Sequence, residues 1–194
     1  MKSLVNLFRL FSLVLLCGIA AIAQTTETKQ FTKDGLIFNY PSGWSFNDTS
    51  NSDAQDLTFG RADSDAQVKV FVFRPLITTP EKLEEAKRIL VDKYVASTTK
   101  SFADAGAKPE SSPAATDMGA VKADGVKIRA NLGGEPGAAE IYWGVVGKRL
   151  VVMTFFGPDR ALKKAMPLWD TIRSSLQIEE PKPQPQPSPK PKSD

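Results

Sequence analysis

The sequence predicts an α+β domain in which two main helices flank a largely antiparallel β-sheet. Short strand-forming runs recur on either side of turn signals such as Asp34-Gly35 and Gly147-Lys148, a spacing typical of hairpins. Two longer stretches, residues 81–104 and 160–175, repeat apolar side chains at helical intervals instead. Strands interspersed with two amphipathic helices indicate helices packed on a sheet.

Three dipeptides predict the tight hairpins. Asp34-Gly35, Asp124-Gly125 and Gly147-Lys148 each separate two strand-like runs. Aspartate and glycine supply the positive φ angles that a type I′ turn requires. The glycine-rich residues 133–137 lack the Lys-Ser/Thr pair of a phosphate-binding loop, so we interpret them as a flexible hairpin loop.

Apolar patterning distinguishes the central strands from the half-buried ones. Residues 68–73 and 150–156 are apolar on both faces, as expected of central strands covered on both sides, and their Val and Phe content favours strand. Residues 126–132 alternate apolar with polar side chains, which predicts one buried face. Residues 106–118 hold two prolines and many small residues, and we interpret them as a loop leading into an edge strand.

The first predicted helix covers residues 81–104. Its apolar stripe contains Leu83, Ala86, Leu90 and Tyr94. Thr78 or Thr79 can cap the start, and Pro80 is acceptable in the first turn. Thr78 and Glu81 also have the spacing of a capping box.

The second predicted helix covers residues 160–175, with Asp159 as its expected cap. Its stripe contains Leu162, Met166, Trp169, Ile172 and Leu176. Pro167 lies inside the stripe and removes one backbone hydrogen bond, so we expect a kink or a restart of the helix there.

The first 23 residues have the three-part pattern of a secretory signal. Basic residues come first, residues 10–22 are mostly apolar, and Ala21-Ile22-Ala23 is a small-x-small cleavage site. The apolar run is shorter than the roughly 20 residues of a membrane span, so we expect cleavage after Ala23 and no span in the mature chain. Lipidation of Cys17 is not predicted, because Leu16 stands where a small residue is expected. The sequence therefore predicts a secreted or periplasmic protein.

Residues 24–180 are expected to form a single domain, and residues 181–194 a separate tail. Every second residue of the tail from Pro181 to Pro191 is proline, which favours extended polyproline II and predicts a disordered C-terminus. A spacer that contacts the cell envelope or peptidoglycan is the alternative. The whole chain carries a net charge of +3, but residues 24–180 hold 20 basic and 21 acidic side chains. Because the domain has no basic field, we expect no binding of nucleic acid.

Candidate catalytic and metal-binding residues are scarce. The chain has no histidine, and its one cysteine is Cys17 in the signal segment. We therefore expect no catalytic residue, cofactor or metal. Asp63 and Asp65 lack the glycine and distal glutamate of an EF-hand and read as a solvated turn. Glu84-Glu85 reads as a charged helix face. A Ser–Lys catalytic pair stays open, since the sequence cannot place one.

Tryptophan offers the one candidate contact residue. Trp44, Trp143 and Trp169 could line a pocket, but the helical stripe predicts that Trp169 belongs to the core. Trp44 follows a Pro-Ser-Gly turn, so we expect it to be partly exposed and name it as a possible contact residue.

Two segments resemble proteins of the PsbP-like superfamily (the Mog/PsbP type). Residues 35–46, Gly-Leu-Ile-Phe-Asn-Tyr-Pro-Ser-Gly-Trp-Ser-Phe, look like the opening aromatic strand and Tyr-Pro-x-Gly-Trp turn of that group. Residues 147–158 and 167–176 are similar to its last strand and closing helix. The resemblance covers about residues 31–178 and implies an α/β/α sandwich. It also implies an accessory or binding role, like those of photosystem II extrinsic subunits, Ran-binding proteins and bacterial envelope proteins. It carries no catalytic residue across.

The leading functional hypothesis is a secreted or periplasmic, non-enzymatic accessory or protein-binding module of the cell envelope, with an unidentified envelope protein as partner. The first alternative is a small-ligand carrier, which requires a closed apolar pocket of at least about 300 Å³. The second is an atypical hydrolase. The sequence leaves the ligand, the partner and the oligomeric state open.

Overall fold

A computed structural model describes residues 27–179. The predicted signal cleavage after Ala23 and the proline-rich tail therefore lie outside the described residues. The strands in chain order are β1 (Thr28–Lys33), β2 (Leu36–Pro41), β3 (Ser45–Asp48), β4 (Ala54–Arg61), β5 (Ser64–Phe73), β6 (Glu110–Met118), β7 (Val121–Leu132), β8 (Glu135–Val146), β9 (Arg149–Pro158) and β10 (Gln177–Ile178). The helices are α1 (Pro80–Ala86), a π-helical segment (Lys87–Asp92), α2 (Lys93–Asp104) and α3 (Asp159–Ser175).

The strands form two sheets, and every strand pairing in residues 27–179 is antiparallel. The larger sheet has seven strands in the order β3-β4-β5-β9-β8-β7-β6, and the smaller has the order β1-β2-β10. β5 and β9 lie inside the larger sheet, as their apolar patterning predicts, and the two strands are neighbours there. The predicted α+β class is confirmed.

Two cores lie on opposite faces of the seven-stranded sheet. On one face, α3 and the three-stranded sheet pack over buried side chains that include Phe38, Phe59 and Phe155. On the other face, the helical segment from α1 to α2 covers Ile128, Ile141 and neighbouring residues. Helices on both faces give the sandwich that the sequence resemblance implies.

Two of the three predicted tight turns are confirmed. Asp34 and Gly35 have φ angles of 50° and 82°, and Gly147 and Lys148 have φ angles of 52° and 60°. Each pair connects antiparallel neighbours, β1 to β2 and β8 to β9. The loop predicted over residues 133–137 is shorter in the structure: Gly133-Gly134 join β7 to β8, and residues 135–137 already belong to β8 because they pair with β7.

The predicted hairpin at Asp124-Gly125 is wrong, because both residues lie inside β7. The turn that begins this hairpin is at Gly119, between β6 and β7. Gly125 serves close packing instead: a Cβ there would lie 2.4 Å from Cδ1 of Tyr142. Residues 106–118 are predicted to be a loop leading into an edge strand, but residues 110–118 themselves form that edge strand, β6. An edge strand tolerates Pro113 because only one of its sides pairs.

The helix ends differ in detail from the prediction. Of the two predicted caps, Thr79 caps α1 by accepting a hydrogen bond from the Lys82 backbone N–H. Asp159 is not a cap, since it is the first residue of α3 and follows Pro158 at the cap position. The helix runs through Pro167 without the expected restart. The first helix also contains the π-helical segment, which the apolar spacing does not predict.

Lys33 and Asp48 join the two sheets, since β1 carries the lysine and edge strand β3 the aspartate, 2.7 Å apart. Hydrogen bonds from Lys33 and Ser50 lower the pKa of Asp48 to about 2, from an ordinary value of 3.8. The ionised carboxylate is therefore favoured in the folded chain. Its stabilising effect is complete above about pH 4 and is lost as the pH falls toward 2.

We expect Lys33→Ala to raise the pKa of Asp48 toward 3.8, because the largest cause of the lowering is the lysine hydrogen bond. An NMR titration of the Asp48 carboxyl carbon in both proteins measures this change. A wild-type pKa near 3.8, or an unchanged low pKa in the variant, would show that the ion pair is absent in solution.

Candidate functional site

The candidate site is a surface where the helical segment leaves part of the sheet uncovered. It has two parts, both lined by Ile89. The first, which we call the inner cleft, has a volume of about 180 Å³ and lies between the helices and strands β4, β5 and β9. The second, which we call the outer groove, has a volume of about 630 Å³ and lies between the end of β5 and α1. Both are open to solvent.

Strand alternation brings the polar groups of the inner cleft together. Asp56, Lys69 and Thr154 lie on β4, β5 and β9, and Lys69 pairs with Thr154 across the sheet. Successive residues of a strand point to opposite faces. The neighbours Leu57 and Val68 therefore enter the core under α3, while these three polar residues face the cleft.

Lys69 is held by two partners. Its Nζ lies 3.0 Å from Oδ2 of Asp56. The same atom lies 5.9 Å from the centroid of the Tyr94 ring on α2, within the range of a cation–π contact. The ammonium group is thus fixed at the polar end of the cleft.

Asp56 is only partly satisfied. Its Oδ1 is buried and accepts no hydrogen bond from the described residues. An unsatisfied buried acceptor costs about 1–3 kcal/mol, and such atoms are rare in folded proteins. Among the polar groups of this surface, Asp56 is therefore the one whose burial is least explained by contacts with the described residues.

Apolar side chains form the rest of the inner cleft. They are Phe71, Ile89, Leu90 and Val152. Ile89 and Leu90 belong to the π-helical segment, and π-bulges occur frequently at functional sites. Ile89 keeps 39 % of its surface exposed even though it borders a core.

The outer groove has an apolar floor with charged residues at its rim. Phe73, Leu76 and Ile77 line the floor, and Lys82 and Glu85 lie on the α1 side. Leu76 is 50 % exposed, the highest exposed fraction among the large apolar side chains of residues 27–179. An apolar centre with a polar rim is the anatomy of protein–protein interfaces.

The segment that carries Leu76 is anchored at both ends. The Arg74 guanidinium lies 2.8 Å from the Asp34 carboxylate. The Ile77 backbone N–H donates a 2.7 Å hydrogen bond to the Lys148 carbonyl oxygen. Leu76 is therefore held out to solvent between two fixed points.

The expected exposure of Trp44 is wrong. The side chain is 8 % exposed and belongs to the core under α3, on the opposite face of the sheet from the inner cleft. The Arg61 guanidinium lies 5.2 Å from its ring centroid. The role of Trp44 as a contact residue stays a prediction. Trp169 belongs to the same core, as predicted.

The acidic residues singled out in the sequence stay apart. Asp63 forms an ion pair with Arg61 in the turn between β4 and β5, and Glu84 lies beside Lys87 on the helix surface. Within residues 27–179, no cluster of three or more acidic, His or Cys side chains could hold a metal ion. No helix in the same range is long and apolar enough to cross a membrane.

A polar cluster on the face of the sheet under α3 contributes to packing. The Tyr142 hydroxyl donates a 3.0 Å hydrogen bond to Glu140, which also pairs with Lys127. Burial, followed by the charge of Glu140, raises the pKa of Tyr142 to about 12. The phenol stays protonated at neutral pH and acts here as a hydrogen-bond donor.

Sequence reasoning did not find the inner cleft. A charge inside a strand whose neighbouring residues are apolar signals a polar group on a covered face, whereas Asp56 follows the polar Gln55 and gives no such signal. That signal is present in the sequence at Lys69, between Val68 and Val70. The contribution of Tyr94 depends on tertiary packing, so no local pattern predicts it.

No family model and no curated protein matches the chain. Among solved structures, a crystal structure from Bacteroides thetaiotaomicron matches with a TM-score of 0.52 and 14% sequence identity, over 78% of this chain and 48% of that one. This chain thus spans about half the length of the Bacteroides protein.

Two further solved structures match over 84% of this chain and 99% of their own length. They are cyanobacterial PsbP from Synechocystis, with a TM-score of 0.48 and 16% identity, and LpqN from Mycobacterium tuberculosis, with a TM-score of 0.41 and 10% identity. LpqN is described as involved in cell envelope biogenesis. All three likenesses concern the fold alone, and cyanobacterial PsbP is among the solved structures that the chain resembles, as the sequence predicts.

Proposed function

We propose that the protein is an extracytoplasmic, non-enzymatic accessory module that binds a protein partner through the outer groove. The observation that carries this proposal is the pair of exposed apolar side chains at the groove, Leu76 at 50 % and Ile89 at 39 % exposure. Removing such side chains from water is the main driving force of association. The proposed partner presents apolar side chains to this floor and a cation to Glu85.

The shape of the site favours a protein partner over a carried small molecule. A small-ligand carrier requires a closed apolar pocket of at least about 300 Å³. The inner cleft holds about 180 Å³, the outer groove about 630 Å³ and a further pocket beside Phe102 and Leu132 about 330 Å³, and all three are open to solvent. An open apolar surface with a charged rim suits contact with another macromolecule.

The hydrolase alternative gains little support from Lys69. A lysine base needs a free lone pair to take a proton from a hydroxyl such as that of Thr154. The Lys69 ammonium instead forms an ion pair with Asp56 and lies over Tyr94. Turnover of a hydrolase substrate panel by the mature protein, abolished by Lys69→Met, would overturn the non-enzymatic part of the proposal.

The extracytoplasmic location rests on the N-terminal sequence. Cleavage after Ala23 yields a mature chain that begins at Gln24 and has no cysteine. N-terminal sequencing of the protein recovered from the cell envelope or medium tests this directly. An uncleaved Met1 in a cytoplasmic fraction would contradict it. Contact of the tail with the envelope or peptidoglycan stays an untested alternative to a disordered tail.

Cross-linking in cells tests the binding surface. The wild type is compared with Leu76→Ser/Ile89→Ser, and Met166→Ser is the matched control because Met166 is 42 % exposed on α3. Anchor side chains at interfaces contribute about 2 kcal/mol or more. We therefore expect at least about a tenfold loss of the dominant cross-linked partner for the double variant and none for the control. Equal capture by all three proteins would contradict the proposal.

A further inference from the structure

We propose that the proline-rich tail, residues 181–194, docks back into the outer groove of its own chain. The tail would then cover Leu76 and Ile89 until a partner displaces it. This inference rests on the proposed function in one respect, since both use the same groove. Four features carry it: where the described chain ends, how close that point is to the groove, the length of the tail, and its chemistry.

The end of the described chain is fixed at one edge of the molecule. β10 pairs with β2, and the Glu179 backbone N–H donates a 2.8 Å hydrogen bond to the Gly35 carbonyl oxygen. Ile178 lies against Gly147, where a Cβ would meet its carbonyl oxygen at 2.6 Å. The last described residues, Ile178 and Glu179, therefore lie beside the two turns at Asp34-Gly35 and Gly147-Lys148.

The outer groove begins at the same edge. Lys148 follows Gly147 and accepts the 2.7 Å hydrogen bond from Ile77, a residue of the groove floor. Arg74, just before the groove, pairs with Asp34 in the other turn. The end of β10 thus contacts Gly147, whose Cα lies about 3.8 Å from that of Lys148. Lys148 in turn contacts the groove floor at Ile77.

The length of the tail is sufficient to run along the groove. Its 14 residues span about 40 Å in the polyproline II conformation, at roughly 3.1 Å per residue. Because the tail is tethered at the groove edge, its effective concentration there is in the millimolar range. Even a weak intrinsic affinity then suffices for docking.

The chemistry of tail and groove is complementary. Polyproline II segments dock on apolar, aromatic-lined grooves and lose little conformational entropy on binding. Phe73 and Leu76 supply such a floor. Glu85 forms no ion pair among the described residues, whereas the tail carries Lys182, Lys190 and Lys192. One of these lysines can therefore pair with Glu85 at the rim.

Paramagnetic NMR on the full mature chain tests the docking. The mature sequence after Ala23 contains no cysteine, so Ser188→Cys provides a unique attachment point for a nitroxide label. We expect the label to remove more than half of the amide signal of Leu76, Ile77 and Ile89, while amides of α3 near Met166 keep theirs. Loss of signal spread evenly over the surface, or centred elsewhere, would overturn the proposal.

A second labelled protein separates docking from simple tethering near the groove. In Leu76→Ser/Ile89→Ser, we expect the signal loss at the Ile77 amide to fall at least about twofold, because the apolar floor is gone. Unchanged signal loss would mean tethering alone and would overturn the proposal. This readout needs no partner, so its failure is distinguishable from the failure of the cross-linking experiment.

Discussion

Replacing Trp169 with alanine is expected to lower the free energy of unfolding by about 3–5 kcal/mol. The side chain is 4 % exposed. It stacks on Phe155, with ring centroids 5.3 Å apart and planes at 4°, and its ring centroid lies 5.6 Å from that of Tyr142. It therefore fixes α3 on the seven-stranded sheet, and its removal leaves a cavity at the centre of the larger core.

Urea unfolding followed by circular dichroism measures this effect. We expect a lower midpoint with an unchanged dependence of the free energy on urea. Met166→Ala is the matched control, because Met166 lies on the same helix with 42 % exposure and should change stability by no more than about 0.5 kcal/mol. A loss below about 1 kcal/mol for Trp169→Ala would show that α3 does not pack as described.

The second large effect is expected for Gly125→Ala, with a loss of about 1–3 kcal/mol from overpacking. A Cβ at this position would lie 2.4 Å from Cδ1 of Tyr142 and 2.7 Å from the Ile141 carbonyl oxygen. The carbonyl belongs to the paired strand β8, so it cannot move without disturbing the sheet. Tyr142 is also held by its hydrogen bond to Glu140.

Gly144→Ala provides the matched control within the same sheet. Its nearest atom would be Cβ of Ala123 at 3.6 Å, an ordinary contact. We expect this variant to be neutral or slightly more stable, because alanine reduces the conformational freedom of the unfolded chain. Equal stability of the two variants in urea unfolding would contradict the close packing of Gly125 under Tyr142.

Much of the fold follows from local sequence patterns. The apolar runs in β5 and β9 predict central strands because a strand covered on both faces is apolar at most positions, with Lys69 and Thr154 as the exceptions that face the inner cleft. The turns at Asp34-Gly35 and Gly147-Lys148 are predicted because glycine, and to a lesser degree asparagine and aspartate, adopt positive φ angles more easily than other residues. Lys148 is the exception, with a φ of 60°. The apolar stripe around Trp169 predicts which side of α3 enters the core.

The remaining features depend on contacts distant in sequence. Asp124-Gly125 has the local signal of a turn, but pairing with β8 extends β7 through it, and the glycine instead accommodates Tyr142. Trp44 follows a turn, yet the core under α3 buries it. The inner cleft combines β4, β5, β9 and the first helix, and its π-helical segment has no signature in the apolar spacing.

The measurement that tests the central claim most directly is site-specific photo-cross-linking in cells. A photoreactive amino acid replaces Leu76 in one protein and Met166 in another, so that two exposed apolar positions of different surfaces are compared. We predict that position 76 cross-links one dominant protein partner and that position 166 does not. The same partner captured from both positions, or from position 166 alone, would show that the outer groove is not the binding surface.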